Sequence, residues 1–125
     1  MADNFDAEQI IYDMIKNVGV AVFQDRPRRD RSGEYIVIRS NGCNYGEIVN
    51  IPQVNVNIFV PRTADGMVNR DRIEAIRTLI YNAISSADDP EGYYCIIDQS
   101  FSNLLEDVRE GYDCFTIRYE LTLNT

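Results

Sequence analysis

Polar and apolar residues alternate most regularly in two stretches. Val54, Val56, Ile58 and Val60 stand on one side of an extended chain and Asn55, Asn57 and Phe59 on the other. Nearer the C-terminus, Phe115, Ile117, Tyr119, Leu121 and Leu123 alternate with Thr116, Arg118, Glu120 and Thr122. A period of two is the mark of a half-buried strand. The first of these strands is expected to start near Ile48 and run to Val60, where Pro61 ends it. Pro52 has no N–H for a ladder, so it marks a bulge, an edge or the strand's beginning.

Two other stretches follow the helical period. Ile11, Met14, Ile15 and Val18 form one apolar stripe and predict a helix from about Ala7 to Val18. Asp6 with Gln9 is its expected cap, Phe5 with Ile10 its hydrophobic staple and Gly19 its stop. The second helix is expected from about Arg70 to Ser85, with Asn69 as N-cap and Val68 and Ile73 as staple. Its buried stripe is Ile73, Ile76, Ile80, Ala83 and Ile84, reinforced by Leu79.

Val20–Phe23 reads as a short first strand and Tyr35–Arg39 as another, ending at the turn pair Asn41-Gly42. Tyr93–Asp98 reads as a strand, whereas Phe101–Val108 is ambiguous and reads as a short helical turn. Strands that alternate in this way fit a sheet with one covered face better than a parallel array apolar on both faces. The expectation is an α+β fold: a mostly antiparallel β-sheet with two main helices packed on one face, forming a single domain over residues 1–125.

Composition narrows the chemistry. The chain has 12 basic and 20 acidic residues, a net charge of −8, which disfavours wrapping duplex DNA through the general surface. It has no histidine, so imidazole-based triads, the usual zinc enzymes and most general acid-base sites lack their central group. Cys43, Cys95 and Cys114 are widely spaced and form no CxxC pair, which argues for reduced, partly buried thiols. No apolar run approaches the ~20 residues of a membrane span, and the first residues lack the layout of a signal peptide, so a cytoplasmic chain is expected. No cofactor or metal is expected.

Each candidate for chemistry has a plain structural reading beside it. Gly42 and Gly46 lack the remaining residues of a dinucleotide or phosphate loop and read as turn glycines. Asp88, Asp89 and Glu91 lack the ligand spacing of a calcium loop. Glu106, Asp107, Glu110 and Asp113 suggest an acid-base pair only weakly. The one local departure from an acidic chain is Arg26, Arg28, Arg29 and Arg31, inside a loop from Gln24 to Gly33. Guanidinium groups pair bidentately with carboxylate or phosphate, so a solvated loop, a grip on an acidic neighbouring subunit and contact with passing DNA all stand as readings. Tyrosine is abundant, with eight in the chain; Tyr119 reads as core, and Tyr45 with one of Tyr93 or Tyr94 as interface.

Read as a whole, the chain resembles the small tail-terminator and tail-completion proteins of long-tailed bacteriophages. The resemblance is carried by the opening helix with Ile11, Met14 and Ile15, by Val54-Asn55-Val56-Asn57-Ile58-Phe59-Val60-Pro61, by the helix Arg70–Ile84 and by Thr116-Ile117-Arg118-Tyr119-Glu120-Leu121. It implies a non-enzymatic structural protein of a virion tail, present in the host cytoplasm during assembly. Such a protein forms a ring, usually of six subunits, that caps the tail tube, ends its polymerisation and joins it to the head-side connector. The partners implied are further copies of the chain, the tail tube protein and the connector, with DNA only passing through and no membrane. Candidate interface residues are Arg26, Arg28, Arg29, Arg31, Tyr45, Glu47, Arg118 and Glu120. A head-completion or neck protein, and a small α+β ligand-binding or regulatory domain, are the alternatives.

Overall fold

The computed structural model describes residues 3–24, 32–89, 95–109 and 111–124. Among them lie two helices, α1 (Asn4–Ile15) and α2 (Arg70–Ser86), and five strands: β1 (Ala21–Phe23), β2 (Tyr35–Tyr45), β3 (Val49–Pro61), β4 (Cys95–Arg109) and β5 (Tyr112–Asn124). The strands form one sheet in the order β1-β2-β3-β5-β4. Only the β1–β2 pair is parallel. The fold is therefore α+β, as the alternation predicts.

Both helices lie on the same face of the sheet. Ala7, Ile10, Ile11 and Ile15 of α1 and Ile73, Ile76 and Ile80 of α2 share one core with Ile36, Ile38, Val54, Val56, Ile58, Val60, Ile117, Tyr119, Leu121 and Leu123. Fully burying one such aliphatic side chain contributes about 1.5–3 kcal/mol relative to leaving it in water. Because strand side chains alternate, the same register that aims these residues at the helices sends their neighbours to a second, helix-free face.

The structure differs from the expected elements in four places. First, α1 begins three residues earlier. Asp3 is its N-cap, with Oδ1 accepting from the N–H groups of Phe5 (2.9 Å) and Asp6 (3.1 Å), while the Asp6 carboxylate accepts from the Asp3 N–H at 2.9 Å. Asp6 thus serves as the reciprocating residue of a capping box and not as the cap. Buried Ala7 extends the stripe one turn towards the N-terminus, and Phe5 is exposed instead of forming a staple. The cap of α2 is Asn69, whose Oδ1 accepts from the Arg72 N–H at 3.2 Å. Leu79, expected to reinforce the α2 stripe, is exposed.

Second, Asn41-Gly42 is not a turn. The strand continues to Tyr45, and the pairing with β3 shifts by one residue between Ser40 and Gly42. Gly42 has φ +112°, a backbone conformation that other residues rarely adopt, and serves a bulge. The turn comes at residues 46–48, where the Gly46 N–H donates to the Asn50 carboxamide oxygen at 3.2 Å. A side chain at Gly46 would meet the Val49 carbonyl oxygen at 2.6 Å.

Third, Pro52 lies inside an interior strand. The β3–β5 ladder runs from Asn50↔Leu123 to Gln53↔Glu120, and no pairing is registered for the two residues between. This is the gap a residue without an N–H would leave. Fourth, residues 101–108 are not helical: β4 is a single strand of 15 residues. Its register against β5 shifts between Gln99 and Phe101 and again between Leu105 and Arg109. The first shift, of one residue, moves the following side chains to the other face and breaks the period of two in the sequence; the second, of two residues, leaves Leu105 and Arg109 on one face.

Candidate interaction surface

The helix-free face is knitted together by pairs of polar side chains. Thr116, Arg118 and Glu120 of β5 stand opposite Asn57, Asn55 and Gln53 of β3. Thr116 Oγ1 donates to Asn57 Oδ1 at 2.8 Å, Arg118 Nε donates to Asn55 Oδ1 at 3.1 Å, and Gln53 Nε2 donates to Glu120 Oε2 at 3.3 Å. Arg118 also reaches across to β4, where its guanidinium lies 5.0 Å from the centre of the Phe101 ring. The expected interface residues Arg118 and Glu120 are thus half-buried and held in place within the subunit. Side chains fixed in this way lose little rotamer entropy when a partner covers them.

One end of this face is aromatic. Tyr35 stacks on Phe59 with ring centres 4.8 Å apart, and Tyr112 and Phe23 pack against Tyr35. Arg109 lies over Tyr112 at 4.3 Å and donates to the Tyr35 hydroxyl at 3.1 Å, while the Tyr112 hydroxyl donates to the Gly33 carbonyl at 3.0 Å. At the opposite end of the sheet, the β2–β3 turn presents exposed Tyr45, Glu47 and Ile48. Tyr45 pairs with Asn50, and Asn50 with Leu123, so this tip lies towards the same end as Glu120.

Arg26, Arg28, Arg29 and Arg31 lie outside the described residues, as do Glu91, Tyr93 and Tyr94. Tyr119 is buried, as expected, and burial pushes its hydroxyl above the ordinary tyrosine value. The three cysteines are free. Burial pushes the Cys95 and Cys114 thiols up to about 11, which keeps both neutral near pH 7. Asp88, Asp89 and Glu106 are exposed. Asp113 is fully buried and paired with Arg62, whose Nη2 and Nε lie 3.0 and 3.3 Å from Oδ1. This carboxylate ties the end of β5 to the chain leaving β3. Among the described residues, no three His, Cys, Asp or Glu side chains are grouped to hold a metal.

The feature that sequence reasoning missed is the continuation of β4 beyond Asp98 and its place at the edge of the sheet. The strand's exposed apolar residues are Ile96, Phe101, Leu105 and Val108, each between 42% and 46% accessible. By register, Ile96, Phe101 and Leu105 face the helix-free side, opposite Thr122, Arg118 and Cys114. The signal lay in the sequence as an apolar-rich run with no clean period. Among the described residues, a cleft of about 220 Å³ lies between α2 and the β4–β5 pair, floored by Ile73, Leu104 and Phe115, and another of about 390 Å³ lies beside Phe5, Glu8, Arg39 and Ser40. A long edge strand with this much exposed apolar surface is an adhesive element. A comparison of the chain with family models and with curated proteins finds no match to either.

Proposed function

We propose that this chain is a non-enzymatic structural subunit of a bacteriophage or prophage tail. Copies assemble into a closed ring, of six subunits by the resemblance, that caps the tail tube, ends its polymerisation and joins it to the head-side connector. The observation that carries the reading is the 15-residue edge strand β4 with its four exposed apolar residues. Such an edge suits a lasting contact with a protein surface better than the capture of a small molecule. A ring further requires two different surfaces that meet head to tail, and the sheet has two unlike edges, short β1 and long β4. Tyr45 and Glu47 on the hairpin tip, and Arg118 and Glu120 on the helix-free face, are suited to meet the tube or connector.

Light scattering on the purified protein, with negative-stain images, tests the assembly; closed rings that bind purified tail tubes are the expected result. A monomer at high concentration that leaves tail tubes free to polymerise overturns the reading.

A further inference from the structure

The two lateral edges of the sheet are unlike in kind. On one side, β1 pairs only with Tyr35–Val37. Among the described residues, no strand lies along the outer edge of β2 beyond it, at residues 40–45. On the other side, β4 offers residues 96–108 with no strand beyond them among the described residues. Backbone groups along such edges template the addition of another strand.

We propose that β4 of one subunit adds to residues 40–45 of β2 in the next, antiparallel, so that a single sheet continues from copy to copy around the ring. This inference rests on the ring reading above and names the surface that would close it.

The strand sense follows from the topology. β2 is antiparallel to β3, β3 to β5 and β5 to β4, so β4 and β2 run in opposite directions within one subunit. Rotation about an axis parallel to the strands leaves their directions unchanged. A sheet continued by such a rotation therefore brings β4 against the neighbour's β2 in the antiparallel sense.

Charge selects the occupant. β4 carries exposed Asp98 and Glu106, and the chain approaches it through exposed Asp88 and Asp89. On the other edge, the only charged residue between 39 and 45 is Arg39, and the connection from β1 to β2 contains four arginines against three acidic residues, Asp25, Asp30 and Glu34. Opposite charge across the junction favours β4 on β2. The competing contact, β4 on β4 about a two-fold axis, would gather the exposed Asp98 and Glu106 of both copies at one junction, and like charges so gathered repel. A two-fold contact would also satisfy each β4 edge in a pair and leave both β2 edges bare.

Cysteine cross-linking tests the junction directly. Cys43 lies on the β2 edge and shares the helix-bearing face with Gln99 and Ser102 of β4, because it pairs with Pro52 while they pair with Tyr119 and Ile117. In full-length protein with Cys95→Ala, the variants Gln99→Cys, Ser100→Cys and Ser102→Cys are oxidised and run on a non-reducing gel. All three positions are exposed, and circular dichroism checks that each variant folds. The expected result is a ladder of covalent oligomers up to ring size for at least one position, falling about tenfold in yield when Cys43→Ser is added, because neighbours held in contact react far faster than chance encounters.

Rings visible in micrographs without any Cys43-dependent ladder overturn this junction and leave the ring reading standing. A covalent dimer that survives Cys43→Ser identifies the two-fold β4 contact and overturns it as well. Absence of rings in the unmodified protein overturns the ring reading and this inference together.

Discussion

At the scale of single residues, Cys114 shows how burial couples chemistry to stability. It stands on β5 close to Thr116, and burial raises its thiol from 9.0 to about 11, against the smaller opposing effect of the Thr116 hydroxyl. The unfolded chain gives up this proton near the ordinary value, so between that value and the folded one the unfolded state binds fewer protons than the native state. Stability from this group is complete below about pH 8.5 and is lost as pH rises through about 11, a loss on the order of 2 kcal/mol. Urea titrations between pH 8 and 10.5 should show the midpoint falling, and Cys114→Ala should flatten that fall. An unchanged slope in the variant would assign the alkaline loss to Cys95 and Tyr119, whose acidic groups burial also raises. Sequence reading took Cys114 as a reduced, partly buried thiol from the wide spacing of the cysteines and the usual burial of free Cys, and the thiol is free and buried. That reading did not resolve Asp113, because the buried partnership with Arg62 joins residues 51 positions apart.

At the scale of elements, legibility tracks how far each segment obeys one period. β3 and the core of β5 were readable residue by residue because one face is buried throughout and the register is unbroken where their core positions pair. The α2 cap was readable because Asn69 directly precedes the apolar stripe. The start of α1 was misplaced because Asp3 and Asp6 offer the same kind of acceptor three residues apart, and only the reciprocal bond from Asp6 decides between them. β4 was unreadable as one strand because a one-residue register shift between Gln99 and Phe101 inverts its faces midway. In the candidate surface, Tyr45 was singled out by the abundance of tyrosine, and Arg118 and Glu120 stand at polar positions of the alternation; Tyr45 and Glu47 are exposed, Arg118 and Glu120 half-buried. The edge of β4 was missed because an edge is a property of strand order, which alternation alone does not encode.

The bulge at Gly42 belongs to the same scale and is open to test. Gly42→Val places a β-branched side chain at φ +112°, where the obstacle is backbone conformation, since a Cβ there would meet no atom within 4 Å. The expected cost is about 1–3 kcal/mol, read as a lower urea midpoint. Asn41→Ala, beside it on the exposed strand, should stay within about 0.5 kcal/mol of the parent. Equal effects at the two positions would mean that the bulge is not held by the glycine.

At the scale of the whole molecule, the sign of a salt effect separates two forces that hold or oppose assembly. Every copy carries a net charge of −8, so bringing copies together costs electrostatic energy that salt relieves. Pairing between arginines and carboxylates acts the other way, because salt weakens it when the partners are exposed. Strand addition and burial of Phe101, Leu105 and Ile96 depend little on screening and strengthen slightly in salting-out ions. If edge pairing and apolar contact dominate, as the exposed length of β4 argues, raising sodium chloride from about 0.05 to about 0.5 M should shift the equilibrium towards rings, since over that range the screening length falls from about 14 to about 4 Å. Sedimentation velocity across the series reads the shift. Dissociation on adding salt would instead make the arginine connection between β1 and β2 the main bond. Arg26, Arg28, Arg29 and Arg31 changed together to Glu, which takes the net charge from −8 to −16 by four reversals of two units each, should then abolish assembly at every salt concentration. Under the edge-dominated account the same variant still forms rings once salt is high enough to screen the added repulsion.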